Sequence, residues 1–434
     1  MAKGLIAALV IAYLALLHSP LRFAGDSPVY LCDAIDLATG RGFHDDHLPR
    51  GYPHVLAALQ VIGLGSNVGT VAVNLASMGA GLVCIAVVLR RELRLSSREV
   101  GTLCLLSSLS WMWIALVTFP LSDLLFFAVS SMGLAMLSLS RDRTPLQTSL
   151  YIAAAALLAA AGFFVRTIGA ALFVPVALAA LESLAVRGRV GRRPAVVIFL
   201  IGVCLAAGIG FTLRDRIASR WYAGALGYMT THRNPLNVTE EISWWRVEEV
   251  GELAQNVSST ALAPTTPSLP IEGVSPSILV TLQLRSVRVV FGFIALVLIV
   301  LGLWSHRRQA SILEAYLFAF FGILLIWPFD DTRFLAPVLP LLLALGWLGL
   351  RSLKIQPLKL QRFAVGYCVV YALFGAIALG DALRVTYFDR GQPWRECGGY
   401  VADIPDWLAA YDHYGGVRPS IIHSSPKSDP INAR

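Results

Sequence analysis

The sequence is short of charge. Only 14% of its 434 residues are Asp, Glu, Lys or Arg, while 56% are hydrophobic. A soluble domain carries about 25% charge, so one large water-facing globule is excluded, and the apolar excess must lie in many separate segments. Cysteine is scarce as well. Of the six, Cys84, Cys104, Cys204 and Cys368 fall inside apolar runs, where thiols act as small hydrophobes. Cys32 and Cys397 fall in polar segments on one side and read as two unpaired thiols, with pairing the alternative if that side is oxidising. No spacing resembles a zinc site. Walker loops, heptad runs, internal repeats and low-complexity tracts are missing too, as are the matched Pro-interrupted halves of a transporter. The net charge of +8 therefore concerns topology and not nucleic acid.

What is present reads as an all-α polytopic membrane protein with about eleven transmembrane helices crossing a core of about 30 Å. The first is Gly4–Leu17, an uncleaved span rather than a signal-peptide core. Basic clusters at Arg90–Arg98, Arg141/Arg143, Arg187–Arg193, Arg307/Arg308 and Arg351–Arg362 all fall on one side. The turns at Pro120, Arg166 and Asp330 fall on the other, and they carry few or no basic residues. This alternation holds only if Val55–Leu64, too short to cross, lies along the interface.

The chain divides into a transmembrane domain over 1–380 and a short extracytoplasmic tail over 381–434 with a disordered end. The first outer loop is 19–54 and the long outer loop 214–286. The long loop holds Trp221, Tyr222, Trp244 and Trp245, suited to an interface belt, with a sugar platform the rarer alternative. It also holds two matches to the glycosylation sequon, Asn237-Val238-Thr239 and Asn256-Val257-Ser258.

The first outer loop organises the rest. Ser27 suits an N-cap, Pro28 a first helical position and Gly40 a stop, which predicts a short helix over Pro28–Thr39 directly after Asp26. Asp33 and Asp36 read as its solvated face. His44, Asp45, Asp46 and His47 read as a wet loop, with a divalent ion as the rarer alternative. Asp123, Arg166 and Arg333 sit at or near the membrane boundary, where ionisable side chains are costly and serve a site or pathway. Arginines there suit a phosphate. A carboxylate beside them suits taking a proton from a hydroxyl.

Asp26…Tyr30, Gly40-Arg41-Gly42-Phe43 and Pro49-Arg50-Gly51-Tyr52-Pro53 resemble the first outer loop of the C-type membrane glycosyltransferases. These enzymes are related to protein O-mannosyltransferases and to the lipid A aminoarabinose transferase. Phe119-Pro120-Leu121-Ser122-Asp123, Val165-Arg166-Thr167-Ile168-Gly169 and Arg333-Phe334-Leu335-Ala336-Pro337 resemble three later motifs of that family, in order along about residues 5–350. Gly25 stands where some relatives have a second acidic residue, so a paired-carboxylate mechanism is not implied.

The resemblance implies a sugar donor on a polyprenyl monophosphate, with Asp26 as general base and inversion at the anomeric carbon. Arg166 and Arg333 would hold the departing phosphate, and Asp123 would orient the acceptor or an arginine. Tyr30, Arg50 and Tyr52 would be substrate-binding positions. It implies no cofactor and leaves a divalent metal open. The acceptor would be a lipid, a glycan or a protein, and membrane lipids would be further partners. The Ala-, Arg- and Gly-rich composition points to a bacterial inner membrane with the site facing the periplasm. A non-catalytic lipid or solute transporter is the rival class. It needs ionisable residues near the bilayer midplane, whereas the spans here are nearly free of charge. A ligase or polymerase of lipid-linked glycans is the third reading.

Overall fold

The computed structural model describes residues 2–19, 21, 26–40, 48–141, 143–186, 253–254, 256–258, 285–306, 311–326, 332–353 and 355–388, and no strand occurs among them. Helix is what the composition demands. A backbone in hydrocarbon has no water to bond and must satisfy itself internally.

The main helices are α1 (Ala2–Ala15), α2 (Ser27–Ala38), α3 (Gly51–Val61), α4 (Asn67–Arg91), α5 (Ser97–Ser108), α6 (Trp111–Thr118), α7 (Asp123–Ser140), α8 (Pro145–Val165) and α9 (Phe173–Val186). They continue with α10 (Arg285–His306), α11 (Ser311–Ile326), α12 (Leu339–Ser352) and α13 (Pro357–Tyr387). Tighter 3₁₀ turns at Thr167–Leu172 and Thr332–Val338 lead into α9 and α12.

Six of the described helical stretches are long and apolar enough to cross a membrane, and a seventh if α5 and α6 count as one broken span. Their outer faces are hydrophobic. Leu146, Leu150 and Leu157 on α8 and Phe363, Val369, Val370 and Leu373 on α13 are exposed. An apolar surface of this kind needs lipid rather than water around it, and the chain is an integral membrane protein.

The expectation of about eleven crossings is met only in part. Ala7–His18, Thr167–Ser183 and Ile312–Leu325 form helices where spans were expected but are shorter. Ala195–Leu213 lies outside the described residues. The expected single span Val100–Val117 is broken. Its halves meet at an angle of 56°, after Ser107, Ser108 and before Ser110, where hydroxyls compete for the backbone. Val55–Leu64 falls largely within α3, whose 11 residues extend only about 16 Å. Tyr52, Pro53, Leu56 and Ala57 on it are buried, while Val61 at its end and Ile62 and Leu64 beyond it are exposed.

Close helix contacts rest on small residues. On α10 and α12, a Cβ added at Gly302 would lie 2.1 Å from the Leu345 carbonyl, and one at Gly349 would lie 1.9 Å from the Leu298 carbonyl. Lipid offers no hydrophobic drive to helix pairing, so such approach supplies the dispersion contact instead. Gly349→Ala is expected to force the pair apart at a cost of about 1–3 kcal/mol, read as a lower thermal midpoint in detergent. An unchanged midpoint would refute this reciprocal packing.

The helix α4 sets the long axis of the site region. It starts beside α3 and ends at Arg90 and Arg91, 25 residues later, or about 37 Å away. At that basic end Arg141 bonds Glu92 at 2.8 Å, and Glu99 accepts from Trp347 Nε1 at 2.9 Å and from Arg351 at 2.8 Å. These ties hold α4, α5, α7 and α12 together at the end away from the polar cluster described next.

Candidate functional site

The predicted short helix is present as α2, and Gly40 ends it with a φ of +73°, a conformation that suits glycine. Its start differs by one residue from expectation. Asp26, rather than Ser27, occupies the cap position, and its side chain makes no cap bond there. Asp26 serves the cap only through its carbonyl, which accepts from the Tyr30 amide at 3.1 Å. Its carboxylate is therefore available to reach outward, and its Oδ2 accepts from Arg333 Nη2 at 2.8 Å.

Arg333 comes from the turn Thr332–Val338. That turn is pinned by the indole of Trp113 on α6, which donates to the Ala336 carbonyl at 3.1 Å. Trp113 is itself buried against Phe127 of α7, with ring centroids 4.6 Å apart. On the other side of Arg333, Thr332 Oγ1 donates to Asn256 Oδ1 at 2.8 Å. The asparagine of the second sequon match is thus engaged beside Arg333. Asn237 lies outside the described residues.

Arg166 sits where α8 stops. Its backbone is extended, with φ −151° and ψ 137°, and its amide still bonds the Gly162 carbonyl at 2.8 Å. The head of α3 is seated against this corner, because a Cβ at Gly51 would lie 2.8 Å from both the Phe164 carbonyl and Val165 Cα. Only glycine allows the loop carrying Arg50 to come so near. Arg166 Nη1 donates to Asp123 Oδ1 at the start of α7.

The two arginines meet on one aromatic ring. Arg166 Cζ lies 5.1 Å and Arg333 Cζ 5.5 Å from the centroid of Phe334. Each guanidinium thus has a carboxylate partner and a place against the same aromatic ring, a favourable setting for cations. The two ion pairs differ in access. Asp123 is 1% and Arg166 11% exposed, while Asp26 is 35% and Arg333 18% exposed. The inner pair is a fixture. The outer pair is open to an incoming anion.

Tyr30 and Tyr52 were expected to bind substrate and Asp123 to take part in the chemistry, yet all three are buried. Tyr30 shares a 3.2 Å hydrogen bond with Ser122, packs edge-on against Tyr52 at 5.5 Å, and so ties α2 to α3 and to the Asp123 turn. Asp33 and Asp36, expected on a wet helix face, are buried too, at 1% and 3% exposure. The chain encloses α2 on all sides from Leu31 to Asp36, so it has no solvated face. Cys32 is buried with them.

Arg50 stands exposed at the head of α3, and its carbonyl bonds the His54 ring at 2.7 Å. Asp330, Asp331, the His44–His47 run, Cys397 and the loop aromatics lie outside the described residues. Among the described residues no three His, Cys, Asp or Glu side chains converge.

No family model matches the chain, and no curated protein matches it. The chain is similar to the solved structure of ArnT from Cupriavidus metallidurans in the apo state, with 15% identity, a TM-score of 0.49, and coverage of 89% of this chain and 78% of that one. It is similar also to that protein bound to undecaprenyl phosphate, with 14% identity, a TM-score of 0.49, and coverage of 89% and 77%.

Proposed function

We propose that this chain is an integral membrane glycosyltransferase, moving a sugar from a polyprenyl monophosphate to an acceptor hydroxyl with inversion. The observation that carries the reading is the meeting of Asp26, Asp123, Arg166 and Arg333 around Phe334, from four segments far apart in sequence. Two guanidinium groups on one ring form a cradle for a phosphate, which planar donors hold by paired bonds. A partly exposed carboxylate lies directly beside it.

In this reading the donor phosphate competes with Asp26 for Arg333 and releases the carboxylate toward the acceptor. The acceptor oxygen attacks the anomeric carbon from the face opposite the phosphate and its proton passes to Asp26. The bond from that carbon to the phosphate oxygen breaks, and the lipid phosphate leaves with the electron pair, its charge held by Arg333 and Arg166. Phosphate is a good leaving group, so anion stabilisation in a dry site supplies much of the lowering of the barrier. Asp123 holds Arg166 in place. The topology that goes with this has about eleven crossings of the hydrocarbon core, in a bacterial inner membrane with the cluster facing the periplasm.

The test is transfer by purified protein in nanodiscs, from a panel of radiolabelled polyprenyl-phosphate sugars to extracted cell-envelope acceptors. A labelled product with at least one donor is the expected result. Lipid binding with no product from any donor would sink the proposal in favour of a transporter.

A further inference from the structure

One polar side chain inside a span belongs to none of the motifs above. Asn74 lies about two turns into α4 and is fully buried. An amide in a dry interior is costly unless it is bonded, and this one is bonded at both ends. Its Nδ2 faces the carbonyls of Leu116 at 3.2 Å, Val117 at 3.1 Å and Phe119 at 2.8 Å. The Phe119 carbonyl also accepts from the Leu121 amide at 2.8 Å, but those of Leu116 and Val117 need a donor. α6 ends at Thr118 and Phe119 is extended, so the last carbonyls of that helix have no partner within it. At the other end, Asn74 Oδ1 accepts from the Tyr52 hydroxyl at 3.1 Å.

Followed outward, these hydrogen bonds, the chain from Phe119 to Ser122 and one aromatic contact close a ring. Asn74 holds the Phe119 end of the turn that leads to Ser122 and Asp123. Ser122 bonds Tyr30, Tyr30 packs on Tyr52, and Tyr52 returns to Asn74. Three segments of the proposed site are members: the head of α2 after Asp26, the head of α3, and the turn that presents Asp123 to Arg166. The side chains in this ring are buried, so it acts through geometry and not through contact with substrate.

We infer that Asn74 is a positioning residue for the transfer reaction, setting the distance between the Asp26 carboxylate and the Asp123–Arg166 pair. The inference rests on the glycosyltransferase reading. Its own content is that loss of the amide donors uncouples the two halves of the site without emptying it.

Asn74→Asp keeps the shape and the acceptor for Tyr52 but loses the amide donors; Tyr52→Phe keeps the donors and loses the acceptor's partner. Both are compared with wild type and the double variant in nanodiscs, under conditions where size exclusion shows each folded. Asn74→Asp is expected to bind undecaprenyl phosphate within about threefold of wild type while its kcat falls at least about tenfold. The double variant is expected to fall no more than about twofold further, as two sites in one network should.

Hydrogen exchange supplies a readout independent of activity. Asn74→Asp should raise deuterium uptake in 26–30 and in 119–123 while leaving 96–99, at the far end of the bundle, unchanged. Wild-type kcat in the folded single variants, losses that multiply in the double, or uptake that rises at both ends or at neither would overturn the inference. A wild type that binds the lipid and transfers nothing overturns the glycosyltransferase reading instead, and exchange then judges the positioning alone.

Discussion

Replacing Asp26 by Asn is expected to lower transfer at least about a hundredfold, the scale of a lost general base, without lowering affinity for the lipid phosphate. Asn matches the size of the carboxylate and keeps an oxygen that Arg333 can donate to, so the 2.8 Å contact has a neutral substitute. What is lost is the group that takes the acceptor proton. The charge of Asp26 no longer competes for Arg333, so undecaprenyl phosphate should bind equally well or severalfold more tightly, measured by titration into nanodiscs. Turnover within tenfold of wild type would remove Asp26 from the proton-transfer role. Weaker binding would show that the carboxylate holds Arg333 in place and does not compete for it.

The inner pair should behave differently, because it is buried. Asp123→Ala leaves Arg166 charged and almost fully enclosed, and breaking such a pair from one side costs about 3–5 kcal/mol. A large drop in thermal midpoint, with loss of transfer, is the expected result. The double variant Asp123→Leu/Arg166→Met replaces both charges by apolar groups, an exchange that is often neutral or stabilising. It should recover the midpoint and still transfer at least about 10²-fold more slowly, the scale of a missing anion-stabilising donor. Recovery of both stability and transfer would make the pair purely structural. Recovery of neither would point to damage beyond the pair.

Much of this arrangement can be read from the sequence where a local rule operates. Gly40 stops α2, and the apolar runs become helices. The meeting of the four motif segments was expected from their resemblance to one family and from the alternation of basic loops. Local rules were blind elsewhere. Asp33 and Asp36 have the spacing of a wet helix face, and nothing local reveals that other segments wrap α2 completely. The break between α5 and α6 lies in a continuous hydrophobic run, where the serines around Leu109 were the available cue. Asn74 is one polar residue in an apolar span, and its importance depends on carbonyls more than forty positions away. A buried amide among hydrophobes was signal enough to ask what it bonds.

The contact between Arg333 and Asp26 joins positions 307 apart in the chain. At ribosomal rates of about 5–20 residues per second, roughly 15 to 60 s separate the emergence of the two side chains. In the later part of that interval the nascent protein holds Asp26, Asp123 and Arg166 without the second arginine. The indole of Trp113 likewise waits for the Ala336 carbonyl that will pin the late turn. Assembly of the cluster is therefore a late event in biogenesis. Ribosome-bound chains arrested before the turn at 332–338 should carry the early helices and no working site.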